Sequence, residues 1–127
     1  ADDQLFSPTV LDDVAFGPRN QGLTADEARD VAYDTLVTLG LAGHADRLTH
    51  HLSGGEKRLV ALATVLTMRP DAMLLDEPFT GLDASAERRV KDILDGLSIA
   101  LLVVTHDPSL ANELSMSVRT LEDGALR

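Results

Sequence analysis

Cysteine is absent from the 127 residues of this chain, and basic residues are scarce. Without cysteine there is neither a disulfide nor a thiolate metal site, which suits a protein of a reducing compartment. There are 11 Lys and Arg against 21 Asp and Glu, so the net charge is −10. That balance disfavours nucleic acid or an anionic lipid surface as the main partner, because both would repel it.

Long hydrophobic runs are missing as well. The longest uninterrupted apolar run covers residues 99–104, far short of the ~20 residues that a membrane-spanning helix needs. No signal peptide is recognisable, and the chain opens with Ala-Asp-Asp-Gln instead of Met. We interpret this beginning as a cropped N-terminus. The phosphate-loop pattern G-x-x-x-x-G-K-[ST] is not found either.

Apolar residues make up 44% of the chain, enough for the core of one modest domain. Up to Pro70 they recur at helical spacing, and beyond it short apolar runs alternate with helices. The predicted helices cover residues 8–17 (N-cap Ser7, end at Gly17-Pro18), 24–40, 53–68, 84–97 and 108–114. The predicted strands cover residues 72–75, 99–105 and 116–121. Run 99–104 does not alternate, which predicts a strand covered on both faces in a parallel sheet.

The string Leu52-Ser53-Gly54-Gly55-Glu56 precedes an apolar helical run. Ser53 and Glu56 have the spacing of a capping box, so a helix is expected to begin here. The two glycines leave its first amides uncovered, and the serine hydroxyl can add one donor. A helix start with free donors and partial positive charge attracts anions, phosphate above all. An ordinary capped helix is the alternative interpretation.

Acidic side chains follow the first predicted strand. Asp76 and Glu77 come at the carboxyl end of this apolar run, the edge where open α/β sheets bind ligands. One carboxylate can hold Mg²⁺ through water, and the other can orient a water for attack on a phosphate. His106 follows the second strand and can donate to a phosphate, while Asp83 ends a tight turn as a helix N-cap. The alternative interpretations are a polar strand end for Asp76 and Glu77, an ordinary loop residue for His106 and a simple helix cap for Asp83.

These motifs occur in the order LSGGE-KR, MLLDEP, TGLD and a strand ending in TH. In that order they resemble the nucleotide-binding subunits of ATP-binding cassette (ABC) transporters. The resemblance implies an α/β P-loop NTPase fold, present here as a fragment. Residues 1–50 would form the Q-loop, which contains Gln4, and the helical subdomain. Residues 51–127 would form the signature helix and the second half of a RecA-like parallel sheet.

The resemblance also implies roles for individual residues. Glu77 would be the catalytic base, and His106 the switch histidine that reaches the γ-phosphate. Asp76 would hold Mg²⁺, and Gln4 would touch both Mg²⁺ and the attacking water. The remaining predicted ATP-binding residues are Leu52, Ser53, Gly54, Gly55, Glu56 and Asp83. Ser53, Gly54 and Gly55 would act on nucleotide held by the opposite subunit, and Asp83 would lie at the dimer interface.

The expected cofactor is Mg²⁺ with ATP, and the expected partners are a second ATPase subunit, identical or different, and membrane permease subunits. The run QLFSPTVLDDVAFGPRNQGLT most resembles the energy-coupling-factor and cobalt/nickel importers, which predicts a location on the cytoplasmic side of the cell membrane.

Two alternative functions remain open. One is a non-transport ABC ATPase of the DNA-repair or translation type, and the other is a non-catalytic ABC-like binding module. Without a phosphate loop, these 127 residues alone are expected to be inactive.

Overall fold

A computed structural model describes residues 8–107, 109, 119 and 121–126 of the chain. Three helices come first: α1 (Val10–Asn20), α2 (Ala25–Thr38) and α3 (Gly54–Leu66). Strand β1 (Ala72–Asp76), helix α4 (Ala84–Asp95) and strand β2 (Ala100–Val104) follow. Strands β3 (Leu121–Glu122) and β4 (Ala125–Leu126) come last. This order confirms the predicted α/β class, with a helical part that leads into an alternating part.

Each of the first three helices begins with a capping box. The N-cap hydroxyl accepts the backbone N–H three residues on, and the acid at that position accepts the N-cap N–H. The pairs are Thr9–Asp12, Thr24–Glu27 and Ser53–Glu56. The box at Ser53 confirms the sequence prediction, and the helix predicted from residue 24 begins with a box as well. Each box satisfies two of the four orphan N–H groups of a helix start.

Helix α1 differs from the prediction at both ends. It begins at Val10 because Thr9, and not Ser7, is its N-cap. It also continues through Gly17 and Pro18 to Asn20, because a proline disturbs the bond to the carbonyl four residues earlier and does not stop the next two residues from continuing the helix. Gly17 permits a close approach of the turn that follows α3, because a Cβ there would lie 2.7 Å from the sulfur of Met68.

One hydrophobic core connects the helices with the strands. Val14 of α1, Leu36 of α2 and Leu59 of α3 lie in the same buried cluster as Met73 of β1 and Val90 of α4. Leu62 and Ala63 of α3 lie in the same cluster, and Leu66 is partly buried against it. The division of the chain near residue 50 stays a prediction.

Strands β1 and β2 pair in parallel, with register from Ala72 opposite Ala100 to Asp76 opposite Val104. Helix α4 connects them, so this is a β-α-β unit. The prediction that the second strand is covered on both faces was wrong. Leu74 and Leu102 face each other in register and are 69% and 63% exposed. Within the described residues, helices cover only the opposite face of this sheet.

The end of the chain differs from the prediction as well. Strands β3 and β4 form a two-residue hairpin with Asp123 and Gly124 at positive φ, 49° and 78°. An Asp-Gly pair between apolar residues is a recognised hairpin signal, and it could have been read from the sequence. Most of the predicted helix at 108–114 and of the predicted strand at 116–121 lies outside the described residues.

Candidate functional site

Glu77 lies immediately beyond the carboxyl end of β1. Its backbone N–H donates to the carbonyl of Val104 at 2.8 Å, which continues the ladder by one residue. Its φ is +46°, a left-handed conformation that non-glycine residues adopt rarely. Such strain is concentrated at functional sites. Here it accompanies the turn by which the chain leaves the strand.

The carboxylate of Glu77 points to the residues that follow β2. Its Oε1 accepts the backbone N–H of His106 at 2.9 Å and lies 2.7 Å from Nδ1 of the same histidine. Its Oε2 accepts the hydroxyl of Thr105 at 3.3 Å. Parallel pairing produces this meeting, because both strands end at the same edge of the sheet.

These contacts change the protonation of both partners. Hydrogen bonding to the His106 side chain lowers the pKa of Glu77, and the same bond raises the pKa of His106. Glu77 is therefore an ionised acceptor at neutral pH, as a base must be. The His106 side chain is 86% exposed and can reach a ligand beyond the sheet edge.

Asp76 and Asp83 lie close to this edge in the chain. Asp76 is exposed at the end of β1, and within the described residues its carboxylate has no hydrogen-bond partner. An exposed, uncommitted carboxylate fits the way Mg²⁺ is held, through one or two acids together with water and phosphate oxygens. Asp83 is committed to capping α4, since its Oδ1 accepts the N–H of Ala86 at 2.8 Å.

The start of α3 leaves three donors uncommitted. The N–H of Ser53 donates to Glu56 Oε2 at 2.9 Å, and the N–H of Glu56 donates to Ser53 Oγ at 3.2 Å. Among the described residues, nothing accepts from the N–H groups of Gly54 and Gly55. The Ser53 hydroxyl keeps its own proton, because it serves the cap only as an acceptor. Two amides and one hydroxyl can thus donate to an anion.

These donors lie at the surface and not against the core. Ser53 and Gly54 are exposed, and Gly55 is half-buried. A Cβ on Gly55 would come within 2.7 Å of the Ala86 Cβ, so this glycine lets the start of α3 pack against the first turn of α4. The side chain of Leu52 is buried, with 7% exposed. The Leu52 side chain therefore anchors the loop, and the predicted part of Leu52 in ATP binding stays a prediction.

Glu56 is held by more than its capping box. Arg47 Nη1 lies 3.0 Å and His44 Nε2 3.5 Å from Oε1 of Glu56. The Ser53 N–H, followed by Arg47, lowers the pKa of Glu56 to about 2. An anion so committed is a poor phosphate ligand. Glu56 belongs to the structure that supports the donors.

The described residues include neither Gln4 nor a cluster of metal ligands, and two residues that support the site, Thr105 and Arg47, were not predicted. Gln4 lies outside the described residues. Within the described part of the chain, no group of three or more His, Asp or Glu side chains is placed to hold a metal ion. The sequence reasoning missed Thr105, whose hydroxyl bridges Glu77 and the N–H of Asp107. It also missed Arg47, whose pairing depends on a tertiary contact that spacing does not reveal.

A groove of about 770 Å³ lies between α1 and the loop and helix of α3. Phe16 of α1 lines it and is 66% exposed. Asp13 and Lys57 add one charge of each sign to the walls. Within the described residues, no helix combines the length and apolar character needed to cross a membrane.

The family model for ABC transporters matches residues 2–80. The chain belongs to this family, as one of its ATP-binding domains. It is 45% identical to the energy-coupling factor transporter ATP-binding protein EcfA of Methanothermobacter thermautotrophicus over 128 aligned positions. It is 46% identical to an ABC transporter ATP-binding protein of Haemophilus influenzae over 121 positions.

Solved structures place the fold in the same family. The protein cbiO1 of Clostridium perfringens, part of the ABC transporter complex cbiONQ, is 40% identical with a TM-score of 0.70 and matches 84% of this chain. An ABC transporter of the metal-chelate type in an inward-facing conformation has a TM-score of 0.82 at 26% identity and matches 96% of this chain. These similarities confirm the predicted ABC ATPase fold.

The chain spans about half the length of the relatives it matches. The region aligned with EcfA is 98% of this chain but 41% of EcfA. The region aligned with the Haemophilus protein is 95% of this chain but 56% of that protein. The corresponding shares are 44% of cbiO1 and 52% of the metal-chelate transporter chain. ABC ATP-binding domains hydrolyse ATP with Mg²⁺ in their complete form.

Proposed function

We propose that this chain supplies the signature helix and the catalytic strand ends of an ATP-hydrolysing subunit of an ABC importer. The meeting of Glu77 and His106 at one sheet edge, at 2.7 Å, carries the enzymatic part of this proposal. An ionised acid and an exposed imidazole at the carboxyl edge of parallel strands suit phosphoryl transfer to water.

In this proposal Glu77 accepts a proton from the attacking water through an oxygen of its carboxylate. His106 donates to the γ-phosphate, and Gln4 orients the water. Asp76 would hold Mg²⁺, which supplies positive charge to the phosphate oxygens when bound. Thr105 keeps Glu77 in place, because its hydroxyl bonds to Oε2 of the carboxylate.

The donors at the start of α3 would act on a different nucleotide. Two such subunits, identical or different, would dimerise head to tail. The hydroxyl of Ser53 and the amides of Gly54 and Gly55 in one subunit would then bind the phosphates held by the other. Preorganised donors of this kind stabilise the charge that develops in phosphoryl transfer. Asp83, at the start of the helix that Gly55 contacts, would lie at the same interface.

The importer part of the proposal is supported by the names of EcfA and cbiO1. The groove between α1 and α3 would receive a segment of a membrane permease on the cytoplasmic side of the cell membrane. Its exposed Phe16 offers an apolar anchor, and Asp13 and Lys57 offer charges for orientation. A non-transport ABC ATPase acting on DNA or RNA is disfavoured by the net charge of −10.

A non-catalytic binding module is the second candidate, and the Asp76-Glu77 pair at the end of β1 disfavours it, since a module without catalysis has no need of these two carboxylates. The test uses a subunit that contains these residues together with a phosphate loop. Glu77→Gln should lower its rate of phosphate release by about 10²–10⁴-fold, the usual contribution of a general base. Glu87→Gln is the matched control, since Glu87 pairs with Lys91 on α4 and has no part in the proposed chemistry. Equal activity of both variants would contradict the enzymatic proposal.

A further inference from the structure

The carboxylate of Glu56 lies close to the free amides that phosphate would bind at the start of α3. It is an ionised carboxylate in the same first helical turn as the free amides of Gly54 and Gly55. Those amides are unpaired donors at the positive end of a helix, so they attract any nearby carboxylate as well as phosphate. An untethered Glu56 would therefore compete with the ligand for these donors.

Two basic side chains hold Glu56 away from these amides. Arg47 Nη1 and His44 Nε2 both approach Oε1, while Oε2 accepts the N–H of Ser53. Both groups belong to the segment before the signature, where the carbonyl of Arg47 also accepts the N–H of Val10. Nδ1 of His44 is buried without a partner among the described residues. The ring is thus held in place by packing, with its other nitrogen directed at Glu56.

The other capping boxes provide a comparison within the same chain. Asp12 at the start of α1 is paired with one arginine, Arg29, at 3.0 Å. Glu27 at the start of α2 has no ion pair within the described residues. Of the three boxes in the described part of the chain, only that of Glu56 combines two basic side chains with glycines inside the box.

We propose that Arg47, assisted by His44, is a positioning residue that holds the Glu56 carboxylate on the Ser53 N–H and so keeps the Gly54 and Gly55 amides open for phosphate. This inference rests on the proposed function of those donors. Arg47 does not touch the phosphate and acts only through Glu56. Its effect must therefore vanish when Glu56 is replaced by an uncharged side chain of the same shape.

The test is a double-mutant cycle on the ¹⁵N-labelled 127-residue chain, with inorganic triphosphate as the probe. The shifts of the Gly54 and Gly55 amide signals report the affinity. Arg47→Ala should weaken triphosphate binding by ~5-fold, the size expected when one nearby charge competes at a solvent-exposed site. In the Glu56→Gln background the same substitution should leave the affinity unchanged. Arg29→Ala, which removes the same charge from the Asp12 box, is the control and should have no effect.

The outcomes separate the two proposals. No shift of the Gly54 and Gly55 signals in the unmutated chain would overturn the proposed phosphate site, and this inference with it. A shift that Arg47→Ala leaves unchanged would overturn this inference alone. An equal loss with and without the Glu56→Gln substitution would also overturn it, because Arg47 would then contact the phosphate directly. Arg47→Gln, which keeps a polar side chain of similar reach, replaces Arg47→Ala if the alanine variant does not fold.

Discussion

Glu77 and His106 are 29 residues apart in the chain, and their side chains meet at 2.7 Å beyond the ends of two paired strands. The backbone N–H of His106 donates to the same carboxylate oxygen at 2.9 Å. The acid is thus fixed by two bonds from one residue. This pair defines the edge of the sheet at which we place the chemistry.

The first prediction concerns the titration of His106. Glu77→Gln should lower the pKa of His106 towards the ordinary value of about 6.5, because the bond that raises it is lost. The imidazole signals in ¹H–¹³C NMR spectra recorded from pH 5 to pH 9 measure this. The signals of His50 and His51, which are remote from Glu77 in the chain, are internal controls. If the pKa of His106 is the same in the Glu77→Gln variant, the pairing of Glu77 with His106 is contradicted.

The same pair gives stability a defined pH dependence. Because the pKa of His106 is raised on folding, its contribution to the free energy of unfolding is complete below about pH 6.5. This contribution is lost as the pH rises through the pKa of the folded state. Because the pKa of Glu77 is lowered on folding, its contribution to the free energy of unfolding is present above about pH 4.3. This contribution is lost as the pH falls through the pKa of the folded state. The pair therefore stabilises most between these limits. The exposure of His106 keeps the effect small.

The second prediction compares two adjacent glycines. Gly55→Ala should destabilise the fold by about 1–3 kcal/mol, the usual range for overpacking, because its Cβ would meet Ala86 at 2.7 Å. Gly54→Ala is the matched control, since an added Cβ there meets nothing within 4 Å. Urea unfolding of both variants measures the difference. Equal stability of the two would show that α3 and α4 do not pack so closely.

The third prediction concerns the exposed face of the sheet. Leu74 and Leu102 present adjacent apolar side chains, 69% and 63% exposed, and within the described residues β2 pairs with β1 alone. We expect the 127-residue chain to self-associate through this face and edge. Sedimentation velocity of the Leu74→Gln/Leu102→Gln variant should show less association. Val37→Gln, at a residue 52% exposed on α2, is the control. A monomeric unmutated chain would contradict this prediction.

The fourth prediction concerns the isolated chain. The 127 residues contain no G-x-x-x-x-G-K-[ST] pattern, so they should bind ATP weakly and release no phosphate from it. A phosphate-release assay at millimolar MgATP measures this. Turnover that Glu77→Gln abolishes would show that the chain needs no phosphate loop of its own.

Local signals in the sequence predicted much of the fold. Capping pairs at Thr24 and Ser53 mark helix starts because the hydrogen bonds involved span only three residues. Apolar runs before Asp76 and Thr105 marked both strands and the edge they share. The start of α1 was misjudged because Pro8 suggested a first helical position, whereas Thr9 and Asp12 form the box.

Other features depend on tertiary contacts and could not be predicted in this way. The run at 99–104 is apolar throughout, yet one face of β2 is exposed, because coverage depends on what else packs there. The pairing of Arg47 with Glu56 requires the turn between α2 and α3 to fold back. The positive φ of Glu77 accompanies its bond to Val104, which joins two strands.

The central claim is that Glu77 and the Ser53–Gly54–Gly55 donors of one chain serve different ATP molecules. It is tested most directly in a dimer of phosphate-loop-containing subunits with two distinguishable tags. One preparation carries Glu77→Gln and Gly54→Asp on the same chain beside an unmutated partner, and the other carries one substitution on each chain. The account predicts that the separated substitutions leave one intact site and retain ATP hydrolysis, whereas the combined substitutions abolish it. Activity of the combined form and inactivity of the separated form would contradict the account.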